Sequence, residues 1–301
     1  MEPAQRPLFA LMLRLVAVAV LASLFALVKY TVESGVAFAE VLFWRQVLTV
    51  PILLGWLAAR GEVARLRTAR LGAHARRAAS GTFGMTLTFG APLLLPLAVS
   101  TTLGFTTPLF AVLLSALVLR ERVGRIRWLA VALGFAGVLV IAQPGQAAIP
   151  ALGALVGLGA GFMVAVISIQ VRDLGKTEEP LTTVFWFAAI SSPVLALALP
   201  FVVTGHTPLQ WQLLLAAGAL GCAGQLLLTA ALRFGQVASV IVMDYTALVW
   251  ATLYGWALWD ELPPASTWLG APLIIAAGAV VVWREQRLFR RAAPASASGA
   301  D

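Results

Sequence analysis

Asp244 is the residue whose type and place most invite chemistry. It lies eight positions into the apolar stretch 236–259, about 12 Å along a helix rising about 1.5 Å per residue. A carboxylate at that depth is costly unless it is paired, protonated or hydrated, and it marks a solute or proton pathway. The functional reading is a site for a substrate amine or for proton coupling. The plain reading is an interhelical lock onto a hydroxyl or Gln225. At about 100° per residue, Tyr245, Thr252 and Trp256 form one stripe of this helix, and Ser239, Thr246, Trp250 and Tyr254 another. Asp244 falls between them, with Ala251 and Gly255. Trp250 is then either a cavity wall that stacks on a solute or a packing residue.

Other candidates are polar residues inside apolar runs. Arg45 could hold a solute carboxylate in its planar donor fork; more plainly, it snorkels outward or pairs with Glu40 or Glu33. Arg14 reads as a snorkelling arginine near the N-terminal side. Thr86, Thr88, Thr102, Thr106 and Gln225 could contact a solute, though such residues also join helices. Trp44 and Trp186 are gate candidates or interfacial belt residues.

Several chemistries are excluded. Gly175-Lys176-Thr177 suggests a nucleotide-binding loop, but Gln170 stands where the required glycine belongs. His74 and His206 are far apart and lack metal-ligand spacing. No serine or threonine has a general base in a nucleophile motif, and the single Cys222 cannot form a disulfide within the chain. No enzyme, cofactor or metal is expected.

The elements that position these residues are membrane helices. The chain has 301 residues, of which 60% are hydrophobic and 11% charged, with mean hydropathy +0.92. A soluble domain keeps about a quarter of its residues charged. About 20 apolar residues cross the hydrocarbon core as a helix, and backbone in lipid must bond internally. Ten stretches qualify: 8–29, 39–59, 79–97, 102–119, 126–142, 150–171, 181–203, 209–232, 236–259 and 267–283. The first is read as an uncleaved helix rather than a secretory leader, because its apolar run is long. Counting the side with the N-terminus as inside, ten spans place eighteen basic residues inside and only Lys29 outside, with Arg14 and Arg45 within spans. That asymmetry predicts both termini in the cytoplasm. It also explains the net charge of +8 through the lipid surface, without nucleic acid.

An internal repeat runs through the spans. At an offset of 140, Thr106, Ala111, Leu113, Glu121, Trp128 and Leu129 meet Thr246, Ala251, Leu253, Glu261, Trp268 and Leu269. At 142, Phe43-Trp44 with Pro51 meets Phe185-Trp186 with Pro193. Five helices per half is an odd number, so the second half enters the membrane inverted, the design that supports alternating access. The expected fold is an all-α integral membrane protein of ten transmembrane helices in two inverted five-helix repeats. Residues 1–145 and 146–286 form the halves, and 287–301 a polar, disordered cytoplasmic tail. Glu121 and Glu261 read as structural caps, because the repeat places them on opposite sides. Gly153, Gly157 and Gly161 permit a close helix contact, within the chain or in a homodimer.

Pro108, Glu121 and Trp128-Leu129 followed by Gly134 and Gly137, repeated through Glu261, Trp268-Leu269-Gly270 and Gly278, resemble the drug/metabolite transporter superfamily in its EamA-like exporter branch. The resemblance covers residues 8–285 and departs at Leu248, where the second copy lacks the proline. It implies a central cavity between helices 1–4 and 6–9, with helices 5 and 10 at the periphery. It further implies export of amino acids or related metabolites across the bacterial inner membrane. The alternatives are another solute, such as a nucleotide-linked or drug-like compound, or a membrane scaffold or enzyme. Expected partners are a small-molecule substrate and the lipid bilayer, and the sequence leaves monomer and homodimer open.

Overall fold

In a computed structural model, the described residues are 7–117, 123–143, 149–234 and 242–292. Arg6, Arg120, Glu121, Arg122, the expected start of the ninth span at Gln236 and the tail from residue 293 lie outside them. Among the described residues the chain is helical throughout. The first passage is α1 (Pro7–Glu33); the second is split into α2 (Phe38–Val47) and α3 (Thr49–Ala59). A 3-10 turn (Val63–Leu66) leads to α4 (Leu71–Leu94), the third. The fourth is α5 (Leu97–Gly104) with α6 (Thr107–Leu117), and the fifth is α7 (Arg125–Ala142). In the second half, α8 (Ala151–Leu174) is followed by α9 (Pro180–Ala196) with α10 (Leu199–Val202), and then by α11 (Pro208–Phe234). The ninth passage ends in a 3-10 turn (Val242–Thr246) and α12 (Ala247–Trp259); α13 (Ala265–Ala292) is the tenth.

The breaks follow proline chemistry. Proline has no N–H to give the carbonyl four residues back, and it is tolerated in the first turn of a helix. Pro51, Pro108 and Pro200 lie four residues after Val47, Gly104 and Ala196, the last residues of α2, α5 and α9. Each proline therefore falls in the first turn of the following segment. Pro92, Pro193 and Pro272 lie within unbroken helices, so proline alone does not force a break. The ninth passage also starts a new helix at Ala247 although Leu248 replaces the proline, and this puts Asp244 in a 3-10 turn rather than inside a straight helix.

Among the described residues, seven passages are long and apolar enough to cross a membrane, two of them being the split pairs α2 with α3 and α5 with α6. The other three passages fall short for visible reasons. α4 opens on His74, Arg76 and Arg77, α9 has 17 residues and α12 has 13. Each of the three packs against at least one long helix: α4 on α8, α9 on α4 as well as α2, and α12 on α1 as well as α5.

Helix pairing respects the repeat. α1 lies along α11 as α8 lies along α4, while α7 pairs with α13 and α2 with α9. The connections confirm the inversion. At one end the second-to-third and sixth-to-seventh connections meet through Arg65–Glu179 at 2.6 Å and Arg70–Asp173 at 2.5 Å. At the other, Gln210 Nε2 donates to the Ser34 carbonyl at 2.8 Å, Trp259 Nε1 donates to Glu33, and Lys29 pairs with Glu261 at 3.2 Å. The first-to-second connection thus lies opposite its repeat counterpart, the sixth-to-seventh. The glycine row on α8 works inside the chain: Gly153, Gly157 and Gly161 receive Leu95, Leu103 and Thr106. α7 and α13 press backbone to backbone at Gly137 and Gly270 and leave Leu129, Leu133 and Leu269 exposed, as a lipid-facing periphery does. The last helix continues past the expected tail boundary at residue 286 to Ala292, with the Arg287 guanidinium carbon 4.3 Å over the Trp283 ring one turn back.

Candidate solute-binding site

Two cavities meet in the middle of the bundle. The smaller, about 280 Å³, is largely apolar and is walled by Val18, Phe25, Pro92, Phe105 and Ala251, with Thr88, Ser100 and Thr101 as polar points. The larger, about 850 Å³, runs from the loop residues Arg65, Gly175 and Glu179 inward to Arg45, Gln46, Thr49, Gly221 and Gln225. It therefore opens at the end where the second-to-third and sixth-to-seventh connections meet. Arg14 and Leu228 line both cavities.

Arg14 and Asp244 form the polar centre of this junction. Arg14 Nε donates to Asp244 Oδ1 at 2.7 Å and Nη2 to Oδ2 at 2.6 Å, the paired fork geometry in which guanidinium binds carboxylate most strongly. The expectation that Arg14 snorkels is corrected: its side chain is 11% exposed and turned inward. The 3-10 turn carries Asp244 to the wall of the smaller cavity. Its counterpart at the repeat offset of 140 is Gly104, where α5 breaks, and Gly104 lines the same cavity.

Arg45 also faces inward. Its guanidinium carbon lies 4.6 Å over the Phe89 ring, and Nη1 reaches Gln46 Oε1 at 3.1 Å and Met85 Sδ at 2.8 Å. It does not pair with Glu40. Five residues apart on a helix, the two point about 140° away from each other, and Glu40 belongs to the far end. There Glu40 Oε1 is 2.6 Å from His206 Nε2 and accepts the Trp44 indole N–H at 3.3 Å, while Trp44 packs edge-on against Trp211 at 5.4 Å. Trp186, seventh in α9 as Trp44 is in α2, lies at the open end. It donates to the Leu66 carbonyl at 2.9 Å, beside His74 and Glu178, whose side chains are 3.6 Å apart. Burial pushes the His74 imidazole below its usual pKa, against the upward pull of Glu178. A Trp, a Glu and a His thus recur at both ends, packed together at the closed end and looser at the open one.

Other sequence candidates fall elsewhere. Thr86 is exposed on the outer face of α4 and its hydroxyl bonds to the Thr82 carbonyl; Thr88, half a turn on, faces the cavity. Thr102 and Thr106 are fully buried and bonded to backbone carbonyls at 2.8 and 2.6 Å, while Thr101 and Thr107 line the smaller cavity instead. Tyr245 packs edge-on against Phe105 at 5.0 Å with its hydroxyl over Gly278, away from Asp244. Trp250 stacks on Tyr254 at 6.5 Å rather than walling a cavity. Gln225 and Asp244 do line the cavities. Sequence reasoning missed Phe25, Thr101 and Arg77. Arg77 was legible in one respect, because Arg77, Gly81, Met85 and Phe89 recur every four residues along α4.

An inverted-repeat helical bundle with a polar junction between two central cavities is the architecture of a membrane transporter. The description "EamA-like transporter family" matches residues 8–143 and again 151–283, and the chain belongs to that family. It is 30% identical over 263 residues to a riboflavin transporter of Vibrio cholerae, covering 87% of this chain and 88% of that one. It is 31% identical over 257 residues to the pseudopaline exporter CntI of Pseudomonas aeruginosa, covering 84% and 88%, and 31% identical over 298 residues to a riboflavin transporter of Rhizobium johnstonii, covering 97% and 96%. A crystal structure of a protein 20% identical, covering 94% of this chain and 99% of that one, shares the fold at a TM-score of 0.61.

Proposed function

We propose that this chain exports a carboxylate-bearing metabolite, an amino acid or close relative, across the bacterial inner membrane by alternating access. The observation that carries the reading is the junction at Arg14–Asp244, with one cavity open to the basic end and the other end closed by the Glu40–His206 and Trp44–Trp211 contacts. By the positive-inside rule the basic end is cytoplasmic, so both termini are inside and the cavity is ready to load from the cell. Solute enters past Arg65 and Glu179, is held near Arg45, Gln225 and Asp244, and leaves once the halves, 1–145 and 146–286, exchange their open and closed ends. Trp44 and Trp186 act as the gate residues of the two ends. The cytoplasmic tail begins near residue 287.

The relatives named as riboflavin transporters favour a second reading, in which a flat aromatic solute lies in the apolar cavity against Phe25 and Phe105. Purified protein in liposomes, assayed with a panel of amino acids and with riboflavin, tests both. Movement of amino acids supports export of that class; movement of riboflavin alone replaces it; movement of neither overturns the transport proposal.

A further inference from the structure

Cations drawn out of water need partners, and two in the larger cavity, the buried Arg45 and the half-buried Arg77, have no anionic one among the described residues. Arg45 is 6% exposed and its Nε has no hydrogen-bond partner; Arg77 has none at Nε or Nη1. The acids that line this cavity face other groups: Glu179 is paired with Arg65, and Glu178 accepts from the Thr68 hydroxyl beside His74. Asp244, on the wall of the smaller cavity, is held by Arg14. A desolvated ion left unpaired is strongly unfavourable, and stacking on a ring returns only part of that cost.

The surroundings hold these guanidinium groups in place without neutralising them. Arg77 lies 4.4 Å over the Phe187 ring and folds along its own helix into the space left by Gly81, where a Cβ would strike its Nη1. Arg45 is seated on Phe89, and Gly221 of α11 admits it, since a Cβ there would stand 3.1 Å from Arg45 Cγ. Gly81 and Met85 are four residues apart on one face of α4, so the two cations occupy successive helical turns, about 5–6 Å apart along the axis.

We propose that Arg45 and Arg77 form a two-point anion clamp for an organic solute with two anionic groups about one helical turn apart, as in an acidic amino acid. This rests on the transport reading and narrows its cargo. The guanidinium forks take carboxylate or phosphate alike, so the probes are L-glutamate, O-phospho-L-serine and L-glutamine, the last isosteric with glutamate but carrying one acidic group.

Thermal melting of the detergent-purified protein, titrated with each probe, reads binding without transport. Glutamate, or phosphoserine if the clamp prefers phosphate, is expected to half-saturate at a concentration at least tenfold below glutamine. Arg45→Gln and Arg77→Gln should each erase that preference. Both variants should melt, without probe, no lower than the native chain, because each loses a charge that has no ion-pair partner. Arg77→Lys should keep part of the preference, as it keeps the charge without the fork. Equal affinity for glutamate and glutamine, with phosphoserine no better, overturns the clamp, as does a preference that survives both Gln variants. If riboflavin moves in liposomes while neither glutamate nor phosphoserine binds, transport stands and the clamp falls. If nothing moves yet arginine-dependent binding of glutamate or phosphoserine is seen, the clamp stands and the transport reading falls.

Discussion

Replacing Asp244 with Asn keeps the side chain's shape and removes the charge that holds Arg14. Breaking a fully buried ion pair from one side costs about 3–5 kcal/mol, because the remaining ion stays desolvated. Here the Arg14 side chain is 11% exposed and that of Asp244 is 36% exposed. Water can therefore reach part of the orphaned guanidinium, and the expected loss is about 1.5–3 kcal/mol. At roughly 2–4 °C per kcal/mol for a large domain, the melting temperature followed by tryptophan fluorescence should fall by about 3–12 °C. Arg14→Gln leaves a carboxylate that is already partly hydrated and should cost less. The double variant should be more stable than the two single effects predict, with a coupling of about 1–2 kcal/mol in favour of the pair. Transport through the Asp244→Asn protein should also slow, since the two cavities share the residue it releases. A coupling near zero, or an Asp244→Asn variant that melts and transports like the native chain, would show that the pair does not join the cavities.

At the closed end, His206→Ala removes the 2.6 Å contact to Glu40. A cysteine placed at Thr49 in a Cys222→Ser background should be labelled from the basic side alone in the parent, and from both sides, at least fivefold faster on the second, in the His206→Ala protein. Burial holds His74 below the usual 6.5, so the unfolded chain takes up its proton before the folded one does. Stability should therefore be full above pH 6.5 and fall as pH drops from there toward the folded pKa; melting of His74→Phe should lose that slope. Gly137→Val drives a side chain against the Gly270 carbonyl, 2.8 Å from an ideal Cβ, and should cost about 1–3 kcal/mol in melting experiments while solute preference holds. Thr86→Ala, on the outer face of α4, should leave the half-saturating solute concentration within twofold, whereas Thr101→Val, in the cavity wall, should change it more.

The membrane class, the inverted halves and the family were legible because their signals are local or periodic. Leu and Ala runs report on lipid wherever the helices end up, and an odd number of helices per half dictates inversion without any contact being known. The site was only partly legible. Asp244 stood out because its burial could be read from its neighbours, and Gln225 and Arg45 because both interrupt apolar runs. Thr102 and Thr106 stood out for their polarity alone, which does not say which face of a helix a hydroxyl occupies; both bond to backbone carbonyls of their own segment and are buried. Arg77 was overlooked because it sits at the mouth of its helix among loop arginines; only the empty space at Gly81 lets it reach inward.

Asp244 as a carboxylate set in an apolar stretch followed from sequence alone, since hydropathy is a property of one segment. That its partner is Arg14, 230 residues away, was decided by tertiary structure. So was the inward turn of Arg45 and Arg77, toward a cavity without a free acid among the described residues. The physical reason is range. Hydrophobic periodicity and charge asymmetry are written along one strand of sequence, whereas an ion pair or an unpaired buried cation depends on which helices lie face to face.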